Sequence, residues 1–76
     1  MPPQRRALAA QRTLGRRIRE LRQQRGWTIE QLAEHASLDW TYVGQVERGR
    51  RNLSLHSLLA LARGLGVAIA DLVRDI

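Results

Sequence analysis

The stretch between Gly26 and Gly49 constrains the chain most, because it has room for two short helices, a tight turn and nothing larger. Thr28 precedes Gln31 by three residues, a capping-box spacing in which hydroxyl and amide satisfy two orphan backbone donors, so a helix begins there. It runs to about Ala36, and Ile29, Leu32, Ala33 and Ala36 form its inner face, with small residues that admit another helix at close range. Ser37-Leu38-Asp39 makes the turn. Asp39 caps the next helix, Trp40 to about Arg48, which Gly49 ends in the left-handed conformation. At about 100° per residue, Val43 and Val46 point together to the core and throw Thr41, Gly44, Gln45 and Arg48 onto the opposite face. That outer face is short, polar and cationic.

The flanking segments are helical too. Leu14, Ile18 and Leu21 make an i, i+4, i+7 stripe on a first helix that Gly26 stops after Arg25. Residues 1–12 have two readings: Ala7, Ala10 and Leu14 extend that stripe backwards, or Pro2-Pro3 with Arg5, Arg6 and Arg12 forms a loose basic arm. Beyond the loop Arg50-Arg51-Asn52-Leu53, Ser54 caps a fourth helix on which Leu55, Leu58, Leu59, Ala62 and Leu65 form a broad apolar stripe, closed by Gly64 and Gly66. A last short helix, Ile69 to about Asp75, offers Ile69, Leu72, Val73 and Ile76. This is much apolar surface for a terminal segment, and it is assigned to contact with a second subunit. No alternating strand pattern occurs, so the chain is read as all-α with five helices.

The chain has 76 residues and no cysteine, enough for one domain held by helix packing or by oligomerising, without disulfide, thiolate zinc site or cysteine nucleophile. No apolar run is long enough for a membrane span or a signal peptide, which places the chain in the cytoplasm. Thirteen basic residues, all arginine, stand against seven acidic ones for a net charge of +6. The excess is uneven. Residues 1–25 hold eight arginines and only Glu20, residues 26–51 are net negative by one, and residues 52–76 balance. An arginine-rich helix is often a solvated face, but so concentrated an excess also suits an anionic partner.

Two short helices about a tight turn, the first lined by small residues and the second with a polar outward face, meet the needs of a helix-turn-helix reader. Thr28 to Arg50 fits that plan, and from Leu14 to Leu72 the chain resembles the phage-repressor and Cro type (XRE-like) of helix-turn-helix proteins. The string LDWTYVGQVERGRRNLSL, Leu38 to Leu55, is similar to that of restriction-modification controller proteins. The resemblance implies a compact five-helix bundle of the lambda-repressor-like type. Residues 1–12 are then a basic arm or helix extension, and residues 13–76 a DNA-binding domain ending in a dimerisation helix.

It also implies roles. Thr41 and Gln45 fall where the family reads bases, with Arg48 further along that face; a glutamine amide pairs with adenine and a threonine methyl suits thymine. Arg51 and Asn52 match a loop dipeptide that contacts DNA, Tyr42 a position near the backbone, and Thr28 and Arg50 join the residues that hold phosphate. Arg22 and Glu47 match an ion pair bridging the first and third helices. Three departures matter. Trp40 stands where controller-like relatives carry arginine, and an indole cannot fork onto guanine. Ile29 replaces a phosphate-contacting glutamine, and Ser37 replaces the turn glycine. Ala68 is a poor cap for the last helix.

The remaining side chains carry no chemistry. Trp27 follows the helix-stopping glycine and is read as a core anchor. His35 and His56 lie on different helices without zinc spacing and are read as surface residues, and Ser37, Ser54 and Ser57 have no base partner. No enzyme, cofactor, metal or small-molecule ligand is expected. The arginines of the first helix also suit anionic lipid, yet Leu14, Ile18 and Leu21 are needed in the core. The expected partner is double-stranded DNA, bound by a bacterial or phage homodimer that reads a pseudo-palindrome with half-sites about 34 Å apart and regulates its own promoter. The alternative is an antitoxin that binds a protein toxin; the chain shows no disordered toxin-binding tail.

Overall fold

Five helices follow one another in the computed structural model, which describes residues 3–76: α1 (Pro3–Gln24), α2 (Ile29–Ala36), α3 (Trp40–Glu47), α4 (Leu55–Leu65) and α5 (Ile69–Val73). No strand occurs among the described residues. Of the two readings of residues 1–12, the described part follows the helical one. Proline is tolerated at the first position of a helix because its missing N–H has no intrahelical partner there. Met1 and Pro2 of the arm reading lie outside the described residues.

The helix ends are set by side chains close in sequence. Thr28 Oγ1 accepts from the Gln31 N–H at 3.1 Å, and the Thr28 N–H donates to Gln31 Oε1 at 2.8 Å, a complete capping box. Asp39 Oδ2 accepts from the Tyr42 N–H at 3.2 Å, and Ser54 Oγ from the Ser57 N–H at 3.1 Å. Ala68 makes no side-chain cap; the Asp71 carboxylate alone accepts from the Ala68 N–H, at 3.0 Å.

Between α2 and α3 the chain turns at Ser37, with φ 55° and ψ 44°, a left-handed conformation that crowds its Cβ against the backbone. Two backbone bonds hold it there: the Ser37 N–H donates to Glu34 O at 3.2 Å and the Leu38 N–H to Ala33 O at 2.9 Å. The departure from glycine thus leaves the turn intact and strains one residue. Ser37→Gly is expected to raise stability by about 0.5–1 kcal/mol, read as a higher denaturant midpoint with an unchanged slope.

Ile18, Leu32, Val43, Val46, Leu61, Leu65 and Leu72 form a continuous buried cluster with Ala33, Ala36 and Ala62. Two glycines allow the helices around it to touch. A Cβ on Gly15 would meet the Val46 carbonyl oxygen and lie 2.8 Å from that of Glu47, so α1 crosses α3 at backbone contact. Gly64 lies inside α4 and does not close it; a Cβ there would come within 3.0 Å of the Ala36 backbone, the seam between α4 and α2. Gly66 alone takes the left-handed cap.

Three expectations are corrected by burial. Periodicity places Leu55 on the inner stripe of the fourth helix, but it is 68% exposed, because the stripe turns away from the core at the first turn. Gly44 is buried although α3 presents it outward, since the Arg48 guanidinium folds back across it. Leu72, expected at a subunit interface, is 0% exposed within the single chain. Only its neighbours Ile69, Val73 and Ile76 keep surface to offer.

Candidate nucleic-acid interface

The outward side of α3 is built by its inward side. Val43 and Val46 lock the helix into the core, so Thr41 is exposed and Gln45 half-exposed one turn later. Trp40 stands at the start of the helix, 57% exposed. Arg51 returns from the following loop toward this face: its guanidinium lies 5.1 Å from the Tyr42 ring centroid and its Nη1 reaches Gln45 Oε1 at 3.4 Å, the long end of hydrogen bonding. The amide that could read a base edge is therefore steadied by a cation stacked on an aromatic ring. Arg50 and Asn52 are exposed in the same loop. The Thr28 hydroxyl is engaged in its cap, so what α2 presents there is its first-turn backbone N–H groups.

Behind the face, Arg22 Nε donates to Glu47 Oε2 at 2.7 Å and Nη2 to Glu47 Oε1 at 2.9 Å, a bidentate pair. Arg22 Nη1 also donates to the Trp27 carbonyl at 2.8 Å, so one guanidinium ties α1, the approach to α2 and the end of α3. The side chains are 12% and 4% exposed. The hydrogen bond to Glu47 raises the Arg22 pKa above the ordinary arginine value against the opposing pull of burial. A cation whose pKa is raised by folding stabilises the fold below its unfolded value and loses that contribution only as pH climbs through the folded one, here in strong alkali. At neutral pH the Arg22 guanidinium is therefore fully charged.

Two more arginines, one on α1 and one just past its end, are also structural, which their sequence pattern does not signal. Arg17 Nη1 donates to the Leu72 carbonyl at 3.0 Å, and Arg25 donates to the carbonyls of Leu21 and Leu65. Helix C-termini leave carbonyls without intrahelical donors, and these guanidinium groups supply them. Arg19 joins Arg48 around a cavity of about 250 Å³ that Ile29, Gly44 and the Arg22–Glu47 pair also line. Trp27 is half-buried against the core, with His35 stacked on it at 3.9 Å and 11°. His35 is exposed, as read from the sequence, and also covers one face of the Trp27 ring. His56 is exposed, and no metal-holding group of three His, Cys, Asp or Glu side chains occurs among the described residues.

A scaffold helix, a tight turn and a braced second helix with uncharged hydrogen-bonding groups set between arginines define a helix-turn-helix module. The chain belongs to the helix-turn-helix family of the phage-repressor (XRE-like) type: a family model described as "Helix-turn-helix domain" matches residues 13–75. It is 43% identical to the immunity repressor protein of Bacillus phage phi105 over 63 residues, 83% of this chain and 44% of that protein. With the control protein C.MunI of Mycoplasma sp it shares 35% identity over 63 residues, 82% of this chain and 85% of that one. The crystal structure of the restriction-modification controller protein C.AhdI from Aeromonas hydrophila superposes with a TM-score of 0.81 at 45% identity, over 84% of this chain and 97% of that one. The chain spans about half the length of the phage repressor and of other curated regulators it matches, against 85% of C.MunI and 97% of C.AhdI.

Proposed function

We propose that the chain is a sequence-specific DNA-binding transcription regulator that acts as a homodimer on a pseudo-palindromic operator, in the manner of a controller protein that also regulates its own promoter. The exposed face of α3 carries this reading, with Thr41 and Gln45 held outward between Trp40 and the Arg51 loop by a helix fixed from behind. In a major groove, Gln45 offers a donor and an acceptor to an adenine edge and Thr41 a methyl and a hydroxyl. Trp40 packs on a thymine methyl or the sugar backbone, which sets this operator apart from those of arginine-bearing relatives. Arg48 lies along the same face, and Arg50, Asn52, Tyr42 and the Thr28 end of α2 hold phosphates and fix the register. Ile69, Val73 and Ile76 supply the surface for the second subunit; Val73 and Ile76 border an apolar groove with Leu53 and Leu58. Among the described residues no helix is long and apolar enough to cross a membrane, and a DNA regulator works beside the nucleoid.

Selection of duplexes from random DNA is expected to return a two-fold symmetric site. On that site Gln45→Ala is expected to lower discrimination against random DNA by about 1–3 kcal/mol while nonspecific affinity holds. An equal loss on both duplexes would remove Gln45 from base reading.

A further inference from the structure

The family match begins at residue 13, yet α1 starts at Pro3 and so projects about 15 Å beyond the matched core. We infer that the outward arginine face of α1, running from this projecting part back to Arg19, is a second phosphate-binding element, which prolongs the DNA contact past the helix-turn-helix along an arginine ridge; the inference rests on the DNA-binding reading above.

Arg5, Arg12, Arg16 and Arg19 recur at intervals of seven, four and three residues, which sets them on one face of a helix with 3.6 residues per turn. All four are exposed, and none takes part in an ion pair among the described residues. Arg16 has only a 3.4 Å contact with Thr13 Oγ1. These charges are therefore set apart from Arg17, Arg22 and Arg25, which the fold itself uses.

The ridge runs beside the reading surface. At one end Arg19 borders the cavity it shares with Arg48 and Gly44. In the middle, Arg12 is seated on Gly49, where an added Cβ would lie 2.9 Å from Arg12 Cγ and 3.0 Å from its Cα. Gly49 leads directly into Arg50, Arg51 and Asn52, so the ridge and this loop form one cationic border. On the other side of the same helix Ala7, Ala10 and Leu14 line the apolar groove toward Val73 and Ile76, which fixes the rotation of α1 and keeps the arginines outward.

The charges oppose their own helix. The first turn of α1 holds no acidic residue and carries Arg5 and Arg6, cations at the positive end of the helix dipole. Arg12 and Arg16 are like charges four residues apart, which also disfavours the helix. A polyanion lying along the ridge removes both penalties at once, and a phosphate backbone supplies regularly spaced charges of the right sign over that length.

The test is the salt dependence of binding by the full chain to two duplexes, one selected by the unsubstituted protein and one random. Combined Arg5→Gln, Arg12→Gln and Arg16→Gln substitution is expected to make the plot of log affinity against log salt shallower by about 0.9 for each phosphate that is no longer neutralised. The change should be the same on both duplexes, leaving the preference between them intact, and lysine at the three positions should restore the slope. Unchanged slopes in the glutamine variant overturn the assignment. So does loss of binding to anionic phospholipid vesicles with the DNA slope preserved, which transfers the ridge to a lipid surface. If the unsubstituted chain shows no preference for its selected duplex, the base-reading function fails, whereas a shallower slope in the glutamine variant on both duplexes still assigns the ridge to phosphate.

Discussion

Leu72→Asp is expected to unfold the chain outright. The side chain is 0% exposed and belongs to the same buried cluster as Ile18, Leu61 and Leu65. Removing a buried leucine costs about 2–5 kcal/mol, and an unpaired carboxylate left in its place adds several more. A single core in a chain of this size rarely supplies more than about 3–5 kcal/mol, so the two terms together exceed what it holds. Circular dichroism should show the helical signal collapse at room temperature. A variant that melts like the unsubstituted protein would mean that α5 leaves the core at little cost. Ile76→Asp is the contrasting case, since Ile76 is 51% exposed and leaves the buried cluster untouched. It should keep its helicity and sediment as a monomer, separating the packing role of α5 from its proposed role between subunits.

Glu47→Ala is expected to cost about 3–5 kcal/mol, because it leaves the Arg22 guanidinium unpaired at a site where its side chain is 12% exposed. The penalty comes from the stranded charge more than from the missing attraction. Replacing both residues, as in Arg22→Met with Glu47→Leu, should therefore recover most of the loss, since a well-packed apolar pair can match a buried ion pair. A double-mutant cycle by denaturant unfolding measures this coupling. If the single and double variants were equally destabilised, the pair would be a bystander to the packing around it. DNA binding separates the effects further: the recovered double variant keeps its fold but lacks the tie from Arg22 to the Trp27 carbonyl, so the angle of α3 is less firmly set.

Much of the fold is legible in the sequence because its punctuation is local. Thr28, Asp39, Ser54 and Gly66 each act on backbone groups within a few residues, so composition and spacing alone place those helix ends. Gly15 is not legible. Its requirement comes from carbonyls of another helix, and no pattern around residue 15 records that approach. Leu55 shows the limit of a periodic stripe, which gives the direction of a face but not how far along the helix the core extends. Leu72 is obscure for a related reason: apolar residues on a short terminal helix serve the chain's own core or a second subunit equally well, and periodicity does not divide them.

The candidate site is legible where it depends on position along α3 and obscure where it depends on neighbours. The arginine excess of the first 25 residues looks uniform in sequence, yet Arg17, Arg22 and Arg25 spend their donors on carbonyls and a carboxylate of the fold. Those partners lie on other elements, some of them many residues away. Arg48 across Gly44 and Arg51 on Tyr42 depend on side-chain paths that spacing does not encode.

The division of labour on α3 also governs how such a protein can change. Eight residues are too few to hold a helix in water alone, so the shape of the reading surface is imposed by Val43, Val46 and Glu47. Thr41 and Gln45 contribute little to that shape, and they can be exchanged while the scaffold stays as it is. Under the proposed function, a new operator preference is then within reach of one or two substitutions without passing through an unfolded ancestor. The same eight residues can drift in the groups they present far faster than in how they fold.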